Sequence, residues 1–133
     1  MAHKTVEEAV EARLRSLWTE CPIYTENLEA ESPSDGSPFL LLQFPASQVR
    51  RWPINQRRYR EEGGFRIVIC LPTGTGMDTM REWGEQLRAI FLDVSFSGVN
   101  CRVPSDPFTD DRSVEGNYFV GSLVVPYDFN FSA

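Results

Sequence analysis

The chain of 133 residues has a single histidine, His3, a single lysine, Lys4, and three cysteines, Cys21, Cys70 and Cys101. One histidine near the N-terminus removes the usual general base and the commonest metal ligand from the rest of the sequence, and a solvated terminal residue is its expected state. The cysteines are odd in number, far apart and without C-x-x-C spacing, which argues against a zinc site and a disulfide framework and leaves them to pack as small hydrophobes. No apolar run approaches the roughly 18 residues that cross a bilayer. Glu7 and Glu8 arrive too early for a signal-peptide apolar core to form before them, so an intracellular site of folding is expected.

What is present suits one soluble domain, here spanning residues 1–133. Domains commonly run about 100 to 150 residues, and 41% hydrophobic with 12% aromatic residues supplies a core that needs no metal or disulfide. The net charge of −6 argues against a generic nucleic-acid coat, which relies on cations over phosphates. The charge is unevenly spread. Five of the twelve arginines, Arg50, Arg51, Arg57, Arg58 and Arg60, fall within eleven residues that contain no acid.

The run LPTGTGMDTM, from Leu71 to Met80, has the outline of a phosphate loop: strand tail, glycines, helix start. A Walker loop needs G-x-x-x-x-G-K-[ST] and a dinucleotide fingerprint needs G-x-G-x-x-G. Gly74 and Gly76 are followed by Met77, Asp78 and Thr79, with no lysine and no third glycine, and Asp78 would repel a phosphate. The glycines therefore read as a tight reversal.

Thr5 and Glu8 match a capping box. Val6, Val10, Leu14, Leu17 and Trp18 follow at helical spacing, predicting an amphipathic helix over about residues 5 to 19, ended by Pro22. Residues 23 to 28 form a plausible short strand. Residues 39 to 44 are nearly all apolar, as in a mid-sheet strand buried on both faces. Phe65, Ile67, Ile69 and Leu71 alternate with a mixed face and should pair with that strand, leaving residues 45 to 64 as a long hairpin excursion that carries the arginines.

Met80, Trp83, Leu87, Ile90 and Phe91 predict a second helix, with Thr79 and Glu82 as its capping box. Residues 99 to 103 and 118 to 131 read as strands around a polar loop over 104 to 116. In the last strand Phe119, Leu123, Val125, Tyr127, Phe129 and Phe131 share the buried parity, and Pro126 points to an edge or a bulge. The expected fold is α+β, two helices packed on a largely antiparallel sheet with a long basic hairpin.

The Leu14–Trp18 helix with Pro22 and Ile23 after it, the FLLLQF strand with its basic hairpin, the LPTGTG turn and the closing YFVGSLVVPYDF strand together resemble the tail terminator, or tail completion, proteins of long-tailed bacteriophages, including their minor tail protein group. The similarity runs over nearly the whole chain, and none of its motifs is catalytic. It implies a structural assembly protein that forms a ring, commonly six-fold, on the finished tail tube. Such a ring stops tube polymerisation and offers the surface that docks to the head.

The implied partners are copies of itself, the tail tube protein and head–tail connector proteins, with no membrane and with DNA only as passing cargo. The implied location is the virion tail, after folding in the host cytoplasm. A head-completion adaptor of similar architecture is the alternative within the same class, and a small nucleic-acid binding module using the basic hairpin is a further one.

A ring by rotation needs two unlike complementary patches on each subunit. Arg50, Arg51, Trp52, Arg57, Arg58, Tyr59 and Arg60 supply one candidate, since arginines and aromatics are favoured interface anchors. Asp106, Asp110, Asp111 and Glu115 supply an acidic complement. An enzyme would need a nucleophile, base and oxyanion donors in one cleft, and no such set can be nominated. No cofactor and no metal ligand are expected, the adjacent Asp110 and Asp111 reading as a solvated turn.

Overall fold

In the computed structural model the residues described are 3–25, 38–51, 58–72, 77–105, 108–109 and 118–132. In chain order the elements are α1 (Lys4–Leu17), β1 (Ile23–Thr25), β2 (Phe39–Arg51), β3 (Arg58–Pro72), α2 (Met77–Phe91), β4 (Ser95–Phe96), β5 (Val99–Cys101), β6 (Phe108–Thr109) and β7 (Tyr118–Ser132). The strands form one sheet in the order β1-β2-β3-β7-β5-β4, with β6 also on β7. All pairings are antiparallel except β1 with β2. The α+β expectation holds.

Both helices lie on one face of the sheet and share its core. Val6, Val10 and Leu14 recur every four residues on α1, and Met80, Leu87 and Phe91 do the same service on α2, all essentially inaccessible. Beneath them the sheet presents Leu40, Leu42, Phe65, Ile67, Ile69, Leu71, Leu123, Val125, Tyr127 and Phe129 in one cluster. The alternation expected of the β3 and β7 segments is therefore the observed one. Phe65 meets Phe91 edge-on at 5.0 Å, and Arg13 Nε donates to the Ile90 carbonyl at 2.9 Å, tying the two helices together.

Local details depart from the expectations. The N-cap of α1 is His3, whose Nδ1 accepts from the Thr5 amide, so Thr5 is inside the helix. The helix stops at Leu17 because Trp18 turns to extended backbone. There its indole packs edge-on against Trp83 at 5.2 Å. With α2 starting at Met77, Thr79 likewise falls within the first turn. Leu41, on the face of β2 away from the helices, is only half-buried, so burial of β2 is one-sided there.

The largest correction concerns residues 45 to 64. The described part of that span, 45–51 and 58–64, is not a loop excursion but ladder: β2 and β3 stay paired from Phe39↔Cys70 to Arg51↔Tyr59, with one register shift between Gln43 and Ala46. Pro45 sits in that shift, exposed, where its missing N–H breaks no ladder bond. Pro126 is also inside a long strand, opposite Gly64 in an unbroken register. Its carbonyl accepts from the Arg102 amide, so its missing N–H faces the gap between β5 and β6 and costs the β3 ladder nothing.

A strand of 15 residues spans about 50 Å, whereas a helix of 15 residues spans about 22 Å. β3 and β7 each have 15 residues and α2 has 15. The sheet must therefore outreach its helical layer, and it does so at the far end of the three-stranded ribbon of β2, β3 and β7, residues 47–51, 58–63 and 127–132, whose inner end with Glu61, Tyr127 and Phe129 is still buried.

Candidate functional site

The register sorts the ribbon into two faces. On the helix side lie Val49, Arg51, Tyr59, Glu61, Phe129 and Phe131; on the outer side lie Arg50, Arg58, Arg60, Glu62, Asp128 and Asn130. The inner face is fastened by a buried carboxylate. Glu61, 2% exposed, accepts from the Tyr127 hydroxyl at 2.7 Å and from the His3 amide at 3.0 and 3.3 Å. Burial, and then the hydrogen bond to Glu61, push the Tyr127 phenol well above its ordinary value, while Ser47 works the other way.

Outward from that anchor an aromatic stack continues along the inner face. Phe131 stacks on Phe129 at 5.9 Å and on Tyr59 at 5.4 Å, and the His3 ring touches both phenylalanines at 5.2 and 4.9 Å. The Arg51 guanidinium lies over the Tyr59 ring at 5.7 Å. Val49 stays 51% exposed beside it. This is an arginine and aromatic surface of the kind that anchors protein contacts.

The outer face is charged. Asp128, buried, accepts from Arg102 Nη2 at 2.6 Å and Asn100 Nδ2 at 2.9 Å, and Ser95 Oγ donates in turn to Asn100. Arg60 Nη2 comes within 3.5 Å of the same carboxylate. Arg60 Nε lies 3.0 Å from Glu62 Oε1, an ion-pair contact without the alignment of a hydrogen bond. Arg60 is thus neutralised within its own chain. Arg50 and Arg58 are exposed and enter no ion pair among the described residues.

Beside the ribbon, where β1 ends at Thr25↔Leu42, a crevice of about 200 Å³ opens between α1 and the sheet. Lys4, Glu7, Glu8 and Glu11 rim it, and Thr25, Leu42 and Phe44 floor it. The acids have local partners, among them Lys4, 3.7 Å from Glu8, and Arg15, 3.0 Å from Glu11.

Of the residues expected at an interface, Arg50, Arg51, Arg58, Tyr59 and Arg60 are brought together on the ribbon, divided between its two faces. Trp52, Arg57, Asp106, Asp110, Asp111 and Glu115 lie outside the described residues, as does the glycine turn over 73–76. Sequence reasoning missed the crevice, although Glu7, Glu8 and Glu11 at helical spacing are a signal for one acidic helix flank. It also missed the Glu61–Tyr127 pair, for which no local signal exists. Among the described residues no group of three or more His, Cys, Asp or Glu side chains is placed to hold a metal ion, and no helix is long and apolar enough to cross a membrane.

A family model described as phage tail terminator protein matches residues 5–127. Among solved structures, one with 22% sequence identity superposes with a TM-score of 0.62, covering 100% of this chain and 99% of its own; at that identity the likeness concerns the fold. Among curated proteins none matches.

Proposed function

The chain belongs to the phage tail terminator family, a structural component of the virion tail, and from that premise we propose that it closes into a ring, six-fold, at the end of the tail tube. The ring ends tube polymerisation and presents the surface to which the head–tail connector docks. Its partners are copies of itself, the tail tube protein and the connector proteins, and DNA passes through as cargo. The chain folds in the host cytoplasm as a single domain before it joins the tail.

The observation that carries this reading is the ribbon. Three long strands run past the helical layer and end in exposed arginines, Arg50, Arg51 and Arg58, beside an aromatic stack that starts from the core residue Phe129. We assign the ring or tube contact to Arg50, Arg51, Trp52, Arg57, Arg58, Tyr59 and Arg60, with Asp106, Asp110, Asp111 and Glu115 as a second, acidic contact. Two neighbours at about 800 Å² each take about a fifth of the 8077 Å² surface, which leaves ample area for tube and head.

Electron microscopy of particles assembled without this protein tests the reading. Overlong or headless tails support it. Tails of normal length that merely fail to join heads would instead indicate a head-completion adaptor.

A further inference from the structure

We propose that the ribbon tip of one copy seats its Arg50 and Arg58 in the acidic crevice along α1 of the next copy, so that these two surfaces are the ring contact. This rests on the ring reading above and specifies which surfaces meet.

The ribbon holds like charges against one another. Arg50 stands directly opposite Arg60 across the β2–β3 ladder, and Arg58 lies on the diagonal of the same face. Like charges facing across a ladder oppose the pairing. Glu62 and Asp128 relieve Arg60, whereas no acid relieves Arg50 or Arg58 among the described residues. A face so arranged is completed by carboxylates from elsewhere.

The crevice has the chemistry to supply them. Its rim carries three glutamates against one lysine, and its floor is Leu42 and the half-buried Phe44. An arginine entering it lays its methylene stem and planar guanidinium against the aromatic floor and reaches carboxylates at the rim, a combination that suits arginine better than lysine. The local partners of Glu8 and Glu11 are exposed side chains. Pairs of that kind contribute little and exchange readily.

The two surfaces are different parts of the subunit, one on α1 and the β1 end of β2, the other on the far ends of β2 and β3. A contact between them is head-to-tail, the type that rotation can close into a ring. A second copy is therefore the occupant that satisfies both surfaces at once.

The test uses full-length protein added to purified tail tubes, with capped ends counted by electron microscopy. Wild-type chains should cap the tubes. The double variant Arg50→Glu with Arg58→Glu should need about tenfold more protein for equal capping, because like charges are then juxtaposed across the contact. Glu8→Arg with Glu11→Arg should show the same loss, and an equimolar mixture of the two double variants should recover capping, since copies that alternate around a six-fold ring place an acidic ribbon in a basic crevice or a basic ribbon in an acidic crevice at every contact. A chain carrying all four exchanges should recover capping. Thermal melts that match wild type confirm that each variant folds. Wild-type capping that the Arg50→Glu, Arg58→Glu variant reproduces at equal concentration would overturn this contact while leaving the ring standing, as would failure of the four-exchange chain to recover. Absence of capping by wild-type protein would overturn the ring itself, and this contact with it.

Discussion

Replacing Tyr127 by phenylalanine removes one hydroxyl and almost no volume, so it isolates the bond that ties β7 to the buried carboxylate of β3 inside the ribbon. That hydroxyl donates to Glu61 Oε2 at 2.7 Å inside the protein, and Glu61 is 2% exposed. After the change the carboxylate keeps the His3 amide, at 3.0 and 3.3 Å, as its hydrogen-bond donor among the described residues. A hydrogen bond to a charged group contributes about 1.5–3 kcal/mol. For a chain of this size, between the small and mid-sized domains for which the scaling is known, a loss of about 2 kcal/mol lowers Tm by about 8 °C. Differential scanning calorimetry of wild type and Tyr127→Phe at pH 7 measures it. A Tm unchanged within about 1 °C would refute the claim that this bond secures the ribbon.

Further outcomes follow from the packing and the titrating groups. Phe65→Ala empties the space against Phe91 and Tyr127 and should cost about 3–5 kcal/mol, read from urea unfolding midpoints. Gly98→Ala places a Cβ 3.3 Å from the Phe129 ring at a φ of +84°, and should cost about 1–2 kcal/mol in the same assay. Burial pushes the Cys70 thiol up to about 11 and the Cys101 thiol up to about 12, and Tyr127 is raised as well. Above the ordinary thiol value the unfolded chain has released protons that the folded chain still holds, so folding stability falls as pH rises. Tm should decline steadily from about pH 9 to 11, and a flat profile would contradict the burial of these groups.

Much of the architecture was readable because it rests on period. Val6, Val10 and Leu14, or Phe65, Ile67, Ile69 and Leu71, bury one face of a helix or strand, and a run of such residues can be placed without knowing its partner. The ribbon was not readable, because beyond Phe44 and before Phe65 the strands carry Arg, Glu, Gln and Gly with no apolar period, and the one charged residue that is buried there, Glu61, gives no sign of it in sequence. Their pairing follows from strands already in register, and Gly63 and Gly64, which look like a turn, are simply opposite Ser47 and Ala46. The β4–β5 hairpin went unseen although Ser97-Gly98 is a turn signal; both residues have positive φ, as a two-residue hairpin turn requires.

The interface reading divides in the same way. A cluster of arginines is visible in one dimension, so Arg50, Arg51, Arg58, Tyr59 and Arg60 could be nominated together. Which of them are already satisfied is visible only in three. Arg60 spends its charge on Glu62 and on Asp128, 68 positions further along the chain, and Arg51 lies on Tyr59. The acidic flank of α1 becomes a crevice only because the fold sets it beside Thr25, Leu42 and Phe44 of the sheet.

That these subunits join one another into a closed cap on a tube is most directly tested by electron microscopy of purified tail tubes incubated with the protein and then supplied with fresh tube subunits. A ring of copies on one end, with tubes that no longer lengthen from it, is the predicted result. Bare ends, or tubes that keep growing in the presence of saturating protein, would contradict it.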